Sequence, residues 1–195
     1  MTKSFSALIV LLLLISVKGA TQSIPKQENQ NIIQLLENPL DIVEYKRLKR
    51  SANNGGGRKQ PYFYRPDYPG FFYSYFIFGG KSEHTPYLTV YKKGSKIGYY
   101  SDTNEEFIQV WSAVEDKDLG EADLARKKIA DIKSKFGPQY VETDTHLIYQ
   151  HKRCILVIRK AGSICRWFKI ARLNKSFKNL EDLPEEIFED HWGNK

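Results

Sequence analysis

Residues 146–173 read HLIYQHKRCILVIRKAGSICRWFKIARL, and the apolar run 154–158 at their centre decides the fold. Its residues Cys154 to Ile158 carry no charge, are rich in β-branched side chains, and are too few for a helix buried on all sides, so they form a strand. Gly162 and Ser163 are turn residues, which places a turn over 159–163 and a second strand over 165–173. Residues 146–150 supply a third strand ahead of both. The spacing allows Cys154 and Cys165 to sit opposite one another with a short turn at the centre, and in an oxidising compartment they are expected to form a cross-strand disulfide. Such a bridge adds about 2 to 3 kcal/mol on the loop-entropy account, and a slip of one residue in register would undo it.

Upstream of this unit, Asp118 can cap a helix with Glu121 three residues on. Ala122, Ala125, Ile129, Ile132 and Phe136 recur on one face, and Gly137-Pro138 ends it. Before the helix come candidate strands at 71–78 and 107–114 and a hairpin of 87–91 with 97–100. In the first of these, alternation sets Phe72, Phe76 and Phe78 against Phe71, Tyr73, Tyr75 and Ile77, so both faces are apolar and both need cover. Strands, helix, then strands again point to an α+β domain over 81–178, an antiparallel sheet with one packed helix. A Gly- and aromatic-rich segment, 51–80, precedes it. An acidic tail, 179–195, follows, with Pro184 suited to a first helical turn.

The N-terminus reads as an export route. Lys3, the apolar run 7–17 and the small residues Gly19 and Ala20 have the layout of a signal peptide, 1–19, too short to span a bilayer. The product is expected to be secreted and extracellular, with no transmembrane segment. Residues 20–50 carry the pairs Ile32/Ile33, Leu35/Leu36 and Ile42/Val43 around Pro39, the pattern of a propeptide of two short amphipathic pieces. It closes on Arg47-Leu48-Lys49-Arg50, which resembles the site cut by furin-like proprotein convertases, whose acidic pockets read cations on an extended backbone. The resemblance implies a convertase as partner and a cut after Arg50. The competing reading is a basic helix end. The propeptide is expected to cover apolar surface, 71–78 included, until that cut.

Lys and Arg number 30 against 23 Asp and Glu, a formal charge of +7. The stretch 145–180 contains no carboxylate side chain. Lys152, Arg153, Arg159, Lys160, Arg166, Trp167, Lys169 and Arg172 form the candidate surface for a polyanion, and export favours a sulfated glycan or an acidic protein partner over nucleic acid. The acidic tail could fold back and compete for that surface. Asn174-Lys175-Ser176 is an acceptor for N-linked glycan.

Enzymatic motifs are scarce. A ribonuclease-like pair would need two of His84, His146, His151 and His191 to converge, yet His146 and His151 are an odd number apart and point to opposite faces of a strand. The sequence contains no zincin, Cys-x-x-Cys, nucleophile-elbow or P-loop motif, so no catalytic residue, metal or cofactor is assigned. The expected class is a secreted, proteolytically matured, non-enzymatic binding or signalling protein. The alternative is a matrix component, since Tyr62, Tyr64, Tyr68, Tyr73 and Tyr75 near glycine and proline resemble cuticle and eggshell segments in composition. A secreted hydrolase is third.

Overall fold

A computed structural model describes residues 21–49, 53–55, 61, 63–77, 87–94 and 105–190. The expected signal peptide, Arg50, Phe78, His84, His191 and the 97–100 arm of the expected hairpin lie outside the described residues.

Eight strands form one antiparallel sheet: β1 (Asn53–Gly55), β2 (Gly70–Ile77), β3 (Tyr87–Lys93), β4 (Glu105–Ser112), β5 (Val141–Glu142), β6 (His146–His151), β7 (Cys154–Ala161) and β8 (Ile164–Arg172). Their order, β1-β2-β3-β4-β8-β7-β6-β5, joins two meanders through the pairing of β4 with β8. With three short α-helices among the described residues, α1 (Gln30–Glu37), α2 (Ile42–Leu48) and α3 (Ile129–Phe136), the fold is mixed α+β around an antiparallel sheet, as the sequence indicates.

The centre of β7 dictates the layers. Ile155, Leu156, Val157 and Ile158 are all fully buried, and alternation turns two of them to each side. On face one, Leu156 and Ile158 meet Ile32, Leu35 and Leu36 of α1 and Ile132 and Phe136 of α3. On face two, Ile155 and Val157 share a core with Phe63, Tyr64, Trp167, Leu183 and Ile187. Burial on both sides is unusual for an antiparallel sheet and explains the unbroken apolar run.

Residues 21–49 are therefore part of the fold. Pro39 divides them into two helices, as its fixed φ requires, and each is capped: Asn29 Oδ1 accepts from the Asn31 amide at 2.9 Å and Asp41 Oδ1 from the Glu44 amide at 2.9 Å. The side-chain amides of Asn29 and Asn31 both donate to the Lys135 carbonyl near the end of α3, at 3.3 and 3.1 Å. The Ile24 amide donates to the Lys178 carbonyl and the Leu180 amide to the Gln22 carbonyl, tying the segment to the distant C-terminal region. Its apolar cover lies mainly over β6, β7 and α3, with Tyr75 of β2 at the margin of the same core.

The helix expected over 118–136 is broken. A 3-10 turn spans Lys117–Ala122, capped by Asp116, and α3 begins only at Ile129. Gly120 (φ 56°), inside the 3-10 turn, and Arg126 (φ 64°), between that turn and α3, take positive-φ backbone. The cause is the edge of β8. Its pairing with β4 starts at Phe168, and residues 126–129 occupy the edge before that point: Arg126 N donates to Cys165 O at 3.0 Å, Cys165 N to Lys127 O at 2.8 Å and Ile129 N to Ser163 O at 2.8 Å. Satisfying that edge outweighs local helix propensity. Ala122, Ala125, Ile129, Ile132 and Phe136 still bury on one core, so the apolar face was read correctly and its backbone was not.

The cysteine pairing is likewise corrected. The β7–β8 turn lies at Gly162-Ser163, between the partners Ala161 and Ile164, and Gly162 takes φ 59° there as a two-residue hairpin demands. Cys154 consequently faces Arg172 and Cys165 faces Lys160, seven positions apart on β8, about 23 Å at 3.3 Å per residue. A disulfide tolerates about 7 Å between Cα atoms. Both cysteines are free thiols. Burial pushes the Cys165 thiol up to about 12 and raises that of Cys154, so little reactive thiolate forms in the folded state.

Two outcomes follow from this packing. Protein denatured without reductant should take up alkylating reagent at both Cys154 and Cys165, whereas the native protein should protect Cys165. Leu36→Ala, at a side chain with no exposure, should lower unfolding free energy by about 3 kcal/mol in denaturant titrations.

Candidate functional site

The eight residues proposed for a polyanion surface do not form one patch. Trp167 and Lys169 are interior, at 4% and 2% exposure. The Lys169 ammonium donates to the Glu186 and Glu189 carbonyls at 2.9 and 2.7 Å. The C-terminal stretch folds back on face two through Leu183 and Ile187, and through the Glu186 and Glu189 carbonyls that accept from Lys169. Of the remaining six, Lys152, Arg153 and Arg172 sit at one end of the β7–β8 hairpin and Arg159, Lys160 and Arg166 at the other, about 20 Å away.

At the first end Lys152 pairs with Glu37 of α1 at 2.6 Å and Arg172 pairs with Glu106, while the exposed Arg153 has no ion pair among the described residues. At the turn end, Lys160 pairs with Glu142 at 2.9 Å, but Arg159 and Arg166 have no ion pair among the described residues. A β-bulge opposite Arg159 and Lys160 makes Arg166 the extra residue of β8 and leaves it exposed. The strand-like pairing of 126–129 adds Arg126, Lys127 and Lys128, all exposed and likewise without an ion pair among the described residues. The Arg126 amide donates to the carbonyl of Cys165, the residue before Arg166, which brings the 126–128 backbone alongside this part of β8. The turn end therefore gathers six cations from two stretches forty residues apart, with one carboxylate shared between Lys160 and Lys133.

Two adjacent carboxylates that sequence reading passed over tie the covering layers to the sheet. Glu105 and Glu106 begin β4 and project to opposite faces. Glu105, 1% exposed, accepts from Lys46 of α2 at 3.0 Å, Lys92 at 2.8 Å and the Tyr75 hydroxyl at 2.8 Å. Glu106 accepts from the Tyr64 hydroxyl at 3.1 Å, from the Tyr68 hydroxyl and from Arg172. Burial and these carboxylates push the Tyr64 hydroxyl up to about 12 and that of Tyr75 higher still. Of the tyrosines that suggested a sticky matrix segment, Tyr64 and Tyr75 are buried and Tyr68 is half-buried, each with its hydroxyl bound to a carboxylate, while Tyr62 lies outside the described residues. The signal available in the sequence was only their spacing against a strand that opens with two acids.

The convertase-like site is built as a helix end. Arg47 lies in the last turn of α2 and pairs with Glu44, three residues back. Lys49 caps the helix and reaches Asp116 at 2.5 Å and Asp118 at 2.7 Å, which holds the Asp118 carboxyl below its usual range. Asp116 also accepts from the buried Tyr45 hydroxyl at 2.8 Å. Asn174 is exposed but engaged, exchanging two hydrogen bonds with the backbone of Arg65.

The histidines diverge as expected. His151 lies 3.3 Å from Glu37 on face one, while His146 packs between Trp167 and Phe188 on face two. Its Nδ1 meets Thr145 Oγ1 at 2.9 Å, and Nε2 has no hydrogen-bond partner among the described residues. Among the described residues there is no group of three metal-ligating side chains, and no helix is long and apolar enough to cross a membrane. Comparison of the chain with protein-family models, with curated proteins and with solved structures finds no match.

Burial, reinforced by Arg159, Lys160 and Lys169, lowers the His146 pKa from 6.5 to about 4. The unfolded chain therefore binds a proton between these values that the folded chain does not. Stability present above pH 6.5 should fall by up to about 3 kcal/mol as pH drops towards 4. His146→Leu should flatten that part of the stability profile, measured by denaturant titration at each pH.

Proposed function

We propose that this is an exported, proteolytically matured, non-enzymatic binding protein that engages polyanions, sulfated glycans or an acidic protein surface, through the basic end of the β7–β8 hairpin. The observation that carries this reading is the pairing of 126–129 with the edge of β8, which joins Arg126, Lys127 and Lys128 to Arg166, Arg159 and Lys160. Cations near one another on ordered backbone, with Arg126, Lys127, Lys128 and Arg166 exposed and without an ion pair among the described residues, favour a polyanion by counterion release and by a focused local potential. Lys152, Arg153 and Arg172, first placed in the same surface, lie at the opposite end and fall outside the proposed contact.

Maturation in this reading leaves a two-chain product. A cut after Arg50 does not remove the burial of Ile32, Leu35, Leu36 and Tyr45. The three aliphatic side chains alone are worth at most about 5 to 9 kcal/mol, enough to hold a severed segment in place. Convertases read extended backbone, so cutting the folded protein requires the last turn of α2 to unwind and Lys49 to leave Asp116 and Asp118.

The binding test is retention on immobilised heparin. Arg126→Glu with Arg166→Glu should lower the eluting salt clearly and reduce the slope of log affinity against log salt by about one per lost contact. The control pair Lys152→Glu with Arg153→Glu should change it little; an equal loss in both pairs would remove the assignment to the turn end. For maturation, convertase-treated protein should elute from gel filtration as one species and separate into two chains only in denaturant. Asp116→Asn with Asp118→Asn should speed the cut.

A further inference from the structure

Residues 63–69 form a strap over face two, and its fastening coincides with the glycan acceptor. Phe63 and Tyr64 are buried there, Tyr64 and Tyr68 reach Glu106, and the Tyr91 hydroxyl donates to the Tyr68 carbonyl at 2.5 Å. At its outer side, Arg65 N donates to Asn174 Oδ1 at 2.7 Å, and Asn174 Nδ2 donates to Arg65 O at 2.6 Å. Pro66 biases Arg65 towards extended backbone, in which N–H and C=O project to the same side, ready for one side-chain amide. Such a two-bond ring uses the amide oxygen and the Nδ2 hydrogen on the oxygen's own side.

N-glycosylation claims that same hydrogen. When a lipid-pyrophosphate-linked oligosaccharide donates its sugar, a bond forms from Nδ2 to the sugar's C1, the C1–O bond to the pyrophosphate breaks, the lipid pyrophosphate departs, and Nδ2 loses one proton. The product is a secondary amide, which is trans, so the sugar stands on the side of Oδ1 and the remaining hydrogen points away. The sugar then occupies the place of the Arg65 carbonyl.

We propose that Asn174 is a modification-controlled clamp: unmodified, it fastens residues 63–69 over the aromatic core of face two; glycosylated within Asn174-Lys175-Ser176, it releases them. Asn174, Lys175 and Ser176 are exposed, so the modified form meets no buried wall at the acceptor itself. Release would uncover Phe63, Tyr64 and Phe72 beside Glu106, an aromatic surface distinct from the basic hairpin end. The inference rests on passage through a glycosylating export route, as proposed above.

The test separates the two ideas by exporting the full chain behind a heterologous leader in place of residues 1–19. Hydrogen exchange of the amides in 63–69 is then compared between the glycosylated protein and Ser176→Ala, which keeps Asn174 and cannot accept sugar. Loss of two hydrogen bonds should speed exchange about tenfold in the glycosylated form. Equal protection of the Arg65 amide in both forms would overturn the clamp. Should the exported protein emerge without sugar, Arg65→Pro, which deletes the donor, and Glu106→Gln, which loosens the strap independently, should each raise occupancy by intact mass. No sugar in either variant would equally overturn it.

Discussion

Four consecutive side chains, Ile155 to Ile158, are buried on both sides of one antiparallel sheet, and the rest of the molecule answers to that constraint. An apolar strand that alternates must be covered twice. Face one is covered by α1, α3 and the 3-10 turn ahead of it; face two by residues 63–69 and the C-terminal stretch through Ile187. None of these covers is contiguous with another in sequence. The stability of the sheet is thereby shared among segments from both ends of the chain.

Electrostatics fixes how the covers attach. Glu105 and Glu106 are neighbours along β4, yet the pleat sends one to α2 through Lys46 and the other to the strap through Tyr64 and Tyr68. Carboxylates withdrawn from water at this depth persist because each is met by a cation and by hydroxyl donors. A similar arrangement holds Lys49 between Asp116 and Asp118. Attachment by a few polar contacts above an apolar sheet is the arrangement in which covers open locally while the sheet stays intact. The proposed cut after α2 and the proposed modification at Asn174 would both address covers and leave the sheet untouched.

The strands were legible because their pattern is local: β2, β4, β6, β7 and β8 lie within a few residues of where apolar runs and turn residues place them. A turn expected over 159–163 narrows to Gly162-Ser163, where the glycine carries the positive φ a two-residue turn requires, and that register separates the two cysteines. The helix over 118–136 had a sound apolar face but was interrupted by the unfilled edge of β8, a demand made by residues forty positions away. The basic surface was assembled by counting along the chain, which joined Trp167 and Lys169 of the interior to cations at two distant ends. It also omitted Arg126, Lys127 and Lys128, which only backbone pairing brings to Arg166.

The sequence by itself determined the class of fold, the positions of most strands, the helix break at Pro39 and the divergence of His146 from His151, because each depends on alternation, φ restriction or turn chemistry within a few residues. Tertiary structure alone decided that residues 21–49 belong to the core, that Cys154 and Cys165 are free, that Lys169 is internal and that Arg126, Lys127 and Lys128 lie alongside the turn end of the β7–β8 hairpin. These depend on which distant backbone satisfies an open sheet edge and which apolar stripe covers which face, quantities that no local window contains.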